Sequence, residues 1–148
     1  MRILLSIAIL LASAHLAPAA LNESEPRPDL KALHAQIEAG AARSAIAPLE
    51  AWIVTDPGDA DALNLLGYAY RKTGNLEKSR RYYTKALAVE PDHPGALEYM
   101  GELELQTGNP EAARALLIRL QAACPQGCEE LDDLIEAFAE HQIPTGGT

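Results

Sequence analysis

The sequence predicts an all-α fold, a short α-solenoid of about three helix hairpins followed by a C-terminal capping helix. Three observations carry this expectation. The tripeptide Thr-Gly-Asn occurs at 73–75 and again at 107–109, and the agreement spreads to its neighbours when the chain is slid by 34 residues. Leu63 then falls on Leu97, Leu66 on Met100, Gly67 on Gly101, Ser79 on Ala113 and Pro91 on Pro125, and sliding backwards sets Gly40 on Gly74, Ala45 on Ser79 and Pro57 on Pro91. A fixed period of this size marks stacked repeats. Within each period the apolar residues recur at helical spacing, and Gly and Pro fall where helices must end.

The elements follow in order. Residues 1–19, with Arg2, an apolar run and then Ala17-Pro18-Ala19, read as a secretory signal peptide. The run is too short for a comfortable membrane span of about 20 apolar residues, so an uncleaved anchor is the lesser alternative. Residues 20–27 form an extended lead-in. Repeats are expected at about 26–59, 60–93 and 94–127, a capping helix at 128–142 and a frayed tail at 144–148.

In the middle repeat Asp59 caps a helix carrying Leu63, Leu66, Gly67 and Tyr70 on one face. Gly74 ends it as a left-handed residue, and Asn75 caps a second helix running to about Val89 that buries Leu76, Tyr83, Ala86 and Leu87. In the next repeat Asn109 takes the capping role, with Pro110 at the first helical position, where its missing N–H costs nothing. Gly67 and Gly101 are expected at matching helix contacts in adjacent units. The first repeat is irregular, with Pro48 inside its second helix and Trp52 where the middle copy has Ala86. In the last helix Leu131, Leu134, Ile135 and Phe138 form one apolar stripe, suited to covering the end of an array.

The stretch "LNLLGYAYRKTGNLEKSRRYYTKALAVEPD" resembles a tetratricopeptide repeat. Leu66-Gly67, Tyr70, Ser79, Tyr83, Ala86 and Pro91 match the family pattern, Ser79 standing for its usual alanine. The following repeat matches less well, with Glu104 and Leu117 at the two aromatic positions. The resemblance implies a groove lined by the first helix of each pair, holding a peptide or a partner's helix. Its candidate residues here are His34, Asn64, Tyr68, Arg71, Glu98 and Glu102. Glu98 and Glu102 argue against a clamp for a C-terminal carboxylate and for a segment with a cationic portion.

Charge and motifs exclude other classes. The formal charge is −9, and from residue 86 onward twelve acids face Arg114 and Arg119 alone. That half repels phosphate backbones, so nucleic acid is not expected as a partner. His34, His93 and His141 are scattered, so no metal site is expected, and neither a nucleophile elbow nor a phosphate-cradling loop is present, so neither a cofactor nor catalysis is expected. The basic cluster Arg71, Lys72, Lys78, Arg80, Arg81 and Lys85 reads first as a solvated surface with a Glu77–Arg81 pair, and second as a docking patch for an acidic partner or for another copy of the chain.

Cys124 and Cys128 close a five-residue loop, read first as a structural disulfide in an oxidising compartment. Redox and soft-metal roles are the alternatives. The function expected is thus a non-catalytic adaptor of the cell envelope, periplasmic or secreted, with a thiol-dependent metal-binding or redox accessory protein as runner-up.

Overall fold

The computed structural model describes residues 26–143. The signal-peptide, most of the lead-in and the tail assigned above lie outside them. Seven α-helices follow in order: α1 Leu30–Gln36, α2 Ala42–Thr55, α3 Ala60–Lys72, α4 Leu76–Val89, α5 Pro94–Gln106, α6 Pro110–Ala123 and α7 Glu129–Glu140. A wide helical turn, Ile37–Ala41, joins α1 to α2. They pair as α1/α2, α3/α4 and α5/α6, one hairpin in each predicted repeat.

Each hairpin corner turns on a glycine with positive φ: Gly40 at +85°, Gly74 at +82° and Gly108 at +77°. At the second and third corners the backbone closes identically. Gly74 N–H donates to Arg71 C=O at 3.0 Å and Asn75 N–H to Tyr70 C=O at 2.9 Å; Gly108 donates to Leu105 at 3.0 Å and Asn109 to Glu104 at 2.8 Å. This satisfies the last carbonyls of the first helix while reversing the chain. The repeated Thr-Gly-Asn is this corner. α7 ends the same way, Ile143 N–H reaching Phe138 C=O at 3.0 Å, but with Gln142 at φ 56° in the left-handed place.

The helix starts are capped by different chemistries. Asp29, Asp59 and Asn75 accept from the backbone N–H three residues on, at 3.0, 3.0 and 3.1 Å. His93 occupies the Asp59 position of the next repeat, and its Nδ1 accepts from Ala96 N–H at 3.1 Å. The expected side-chain cap at Asn109 does not form: its amide donates instead to Glu104 and Thr107, each at 3.2 Å. The buried Glu104 carboxylate holds the Asn109 amide through its Nδ2, and Oδ1, the atom a cap requires, accepts from no backbone N–H.

The core runs through the array without a break. Ile37, Leu49, Leu66, Tyr83 and Leu103 are fully buried around the first two hairpins, and Leu97, Leu117, Leu120, Leu134 and Phe138 around the third and α7. Met100 packs against both groups. Each repeat therefore completes its apolar face against its neighbour. Leu76 and Leu87 reach only half-burial at the margins. One expectation at the end helix needs correcting. Ile135 is 39% exposed, and Ala137 is buried in its place beside Leu134 and Phe138. The inward arc of α7 is centred one step round from the stripe read in the sequence.

Gly67 and Gly101 are both close contacts, but with different partners. A Cβ on Gly67 would lie 2.6 Å from the Tyr83 ring of its own hairpin, whereas one on Gly101 would lie 2.7 Å from Leu134 of α7. The Tyr83 position holds the shorter Leu117 in the next repeat, and Leu134 occupies the space against Gly101. In the first repeat Pro48 lies inside α2 on an exposed face, where the carbonyl deprived of its partner can meet water. Trp52 is half-buried, and its indole N–H donates to Asp59 Oδ2 at 2.7 Å.

Gly67→Ala is expected to destabilise the fold by about 1–2 kcal/mol, since overpacking against a fully buried ring (about 1–3 kcal/mol) outweighs the better helix propensity of Ala (about 1 kcal/mol). Urea unfolding monitored by helicity checks this; an unchanged or raised midpoint would contradict it.

Candidate functional site

An open groove of about 930 Å³ runs along α1, α3, α5 and α7. Its lining follows the period of the sequence. Arg27, Asp61, Gly95 and Glu129 stand 34 residues apart and all line it, as do Lys31, Leu65, Tyr99 and Asp133. His34, Tyr68 and Glu102 form a third such column, Asn64 and Glu98 a fourth. All six residues expected from the sequence therefore face this groove. α7 enters it in phase with α1, α3 and α5.

An aromatic ladder crosses the middle. Tyr68 stacks on Tyr99 with ring centroids 4.4 Å apart and planes 11° from parallel, and His34 stacks on Tyr68 at 5.6 Å. His34 Nε2 and the Tyr99 hydroxyl lie 3.1 Å apart. The Tyr68 hydroxyl donates to Glu38. Arg71 sits against both rings, 5.4 Å from the centroid of Tyr68 and 5.6 Å from that of Tyr99, and pairs with Glu102. Burial opposes the charge on Arg71, but the acidic groups around it, Glu102 among them, outweigh this and hold it protonated. Burial raises the phenol pKa values of Tyr68 and Tyr99, so both stay neutral donors. These side chains hold one another before any partner arrives.

The two ends of the groove differ. Arg27 and Lys31 stand at the α1 end; Glu98, Glu102, Glu129, Glu130 and Asp133 gather at the α7 end. A smaller acidic hollow adjoins it, lined by Glu102, Asp133, Glu136 and Glu140. Asn64 is 8% exposed, and its Oδ1 is buried without a hydrogen-bond partner. Gly95 makes room for this amide, since a Cβ there would lie 2.9 Å from Asn64 Nδ2.

One wall of the groove is tied together by an ion-pair chain. Arg27 donates to both carboxylate oxygens of Asp59, at 2.6 and 2.8 Å, and to Asp61 at 2.9 Å. Asp61 also meets His93 Nε2 at 3.1 Å. Because His93 Nδ1 accepts from a backbone N–H, the ring proton belongs on Nε2, where it is donated to Asp61. Arg27, chiefly, holds the Asp59 carboxyl down at about 2, with the Ala62 and Trp52 N–H donors helping and burial opposing.

The predicted basic cluster is not one patch. Arg71 and Lys72 face the groove. Arg80 pairs with Glu104 and donates to Thr107 Oγ1 at 3.1 Å. Lys78 donates to the Tyr70 hydroxyl at 3.0 Å and lies 4.6 Å over its ring, while Lys85 lies 5.2 Å over Tyr82. Among the described residues no group of three or more His, Cys, Asp and Glu side chains is arranged to hold a metal ion, and no helix is long and apolar enough to cross a membrane. Cys124 and Cys128 face each other with Cα atoms 5.8 Å apart, a separation that admits a disulfide.

The tetratricopeptide repeat family matches residues 30–82 and 65–127, which together take in most of the chain. The chain belongs to the tetratricopeptide repeat family. It is 36% identical over 59 residues to cellulose synthase operon protein C of Pseudomonas fluorescens, a match covering 40% of this chain but 5% of that relative. In fold it resembles PcrH, solved in complex with the chaperone binding region of PopD, with a TM-score of 0.63, 22% identity and coverage of 76% of this chain and 86% of that one. SycD of Yersinia enterocolitica, solved with a peptide of the translocator YopD, gives a TM-score of 0.63 at 18% identity, over 76% of this chain and 91% of that one.

Sequence reasoning overlooked Tyr99, Arg27 and the α7 acids Glu129, Glu130 and Asp133 as groove residues, although the 34-residue columns contain all of them but Glu130. The Asp59 anchor has a pH signature. A carboxyl held below its unfolded value contributes stability above about pH 4 that is lost as pH falls toward 2. Asp59→Asn keeps a competent helix cap, so it is expected to cost on the order of 1–2 kcal/mol at pH 7, allowing for the half-exposed Arg27, and almost nothing near pH 2. Unfolding free energies at the two pH values check this.

Proposed function

We propose that the protein is a non-catalytic interaction module that holds a peptide or a partner's helix in the groove along α1, α3, α5 and α7. The carrying observation is the preorganised lining of an open groove: Tyr68 is buried at its floor, His34 and Tyr99 are half-buried against it, and Arg71 is already paired with Glu102. A partner then binds without the receptor losing much freedom, which conserves affinity. PcrH and SycD, solved with segments of their partners, supply a precedent for a related fold in that role. The acidic α7 end favours a segment with a cationic portion at that end. A second copy of the chain, offering Lys85 and Arg81, is a further candidate partner.

The setting we propose is the cell envelope, periplasmic or secreted. It rests on the signal-peptide pattern of residues 1–19. In that compartment Cys124 and Cys128 would form a disulfide closing the connection between α6 and α7. Natively exported protein is expected to show both thiols blocked until a reductant is added; free or metal-loaded thiols would favour the runner-up accessory role.

A peptide array probed with residues 20–148 is expected to yield binders enriched in Lys and Arg. Enrichment in Asp and Glu would contradict the orientation read from the charges. Binding that survives replacement of both Tyr68 and Tyr99 by Ala would place the partner outside the groove.

A further inference from the structure

Glu98 lies on α5, 5% exposed, and lines the groove. Its carboxyl has neither a hydrogen-bond nor an ion-pair partner among the described residues. The cation best placed to serve it, Arg71 of α3, is committed to Glu102 and seated against Tyr68 and Tyr99. The charges that bear on Glu98 from its own helix and from α7 are those of Glu102, Glu130 and Asp133. Three carboxylates thus surround a fourth that is buried, and the nearby positive charge is already engaged. A buried, unpaired carboxylate in such a field is costly.

Burial, first, and then these like charges push the Glu98 carboxyl up to about 9, with Arg71 pulling the other way. At neutral pH it therefore carries a proton. That proton is the least demanding way of neutralising the site, and a cation offers a better one. A neutral donor would satisfy Glu98 alone and leave the repulsion from α7 untouched. A positively charged side chain answers Glu98 together with Asp133 and Glu130, which Arg71, paired with Glu102, leaves unserved.

We propose that Glu98 anchors one lysine or arginine side chain of the bound segment, which enters between α5 and α7 and releases the carboxyl proton to solvent. This deepens the groove reading above and rests on it. Binding and deprotonation are then linked, so affinity increases with pH while the ligand keeps its own charge. His34 and His93 also face the groove, so the dependence is to be read as the difference between the wild-type protein and Glu98→Gln, which keeps both imidazoles.

The probe is Nα-acetyl-lysine N-methylamide, titrated into protein labelled with ¹³C at the Glu carboxyls, from pH 7.0 to 8.5. The Glu98 resonance is expected to move from its protonated toward its ionised position as the amine binds, and affinity to rise roughly tenfold per pH unit. The same molecule with a methyl group in place of the ammonium is expected to leave that resonance unmoved. Glu98→Gln, which keeps the shape without the charge, is expected to bind the amine at least tenfold more weakly and with no pH slope. A resonance that stays put in the wild-type protein under saturating amine, or an unchanged slope in Glu98→Gln, overturns the proposal. If array-selected peptides still bind in that case, the groove stands and only the anchor falls; if neither peptide nor amine binds, both fall.

Discussion

The hydrogen bond from Asn75 N–H back to Tyr70 C=O, and its copy from Asn109 to Glu104, set the geometry on which the other contacts depend. Each closes a helix end around a residue in the left-handed region, which glycine enters without the Cβ penalty that other residues meet. With the corner fixed, the second helix of a pair can return along only one side of the first. The opposite side is left to face the groove. A groove built this way is a consequence of chain reversal, and its side chains are aligned because its corners are.

Packing then propagates what the corners begin. Tyr83 fits because Gly67 has no side chain, and Leu134 reaches α5 because Gly101 has none. These two contacts join different pairs of helices, so the array is not a simple copy of one unit. Similarly, the Tyr70 hydroxyl donates a hydrogen bond to Glu50 of the preceding hairpin, whereas Glu104 receives Arg80 at the same place in the next. The position serves one purpose, tying a first helix to the second helix before it, and tolerates opposite chemistries because both partners change together.

Much of this was readable in advance from spacing. Gly74, Gly108 and Pro110 announce local backbone events, and local events are what a sequence pattern encodes. The six groove residues carried over from the family resemblance share the face where the structure puts them. What spacing concealed were contacts between distant residues. Arg27 meets Asp59 across 32 positions, and His34 meets Tyr99 across 65. Asn109 was misread for a related reason: its preference for capping is intrinsic, but the buried Glu104 carboxylate accepts from its Nδ2, and the amide so held gives its oxygen to no backbone N–H. Ile135 illustrates another limit. A helical stripe can be drawn through Leu131, Leu134, Ile135 and Phe138, yet which edge of the stripe turns inward depends on the helix it meets, and Ala137 fits closer than the branched side chain.

The way α7 enters the groove has a wider meaning. Glu129 and Asp133 continue columns begun by Arg27 and Lys31 on α1, so the last helix keeps step with the others although no second helix follows it in the described fold. Nothing in the repeat itself dictates where counting should stop. Such a scaffold can gain or lose a unit by duplication or deletion at its edge while every interior neighbour stays as it was, and the reach of its binding face then becomes a variable that evolution can adjust in whole steps.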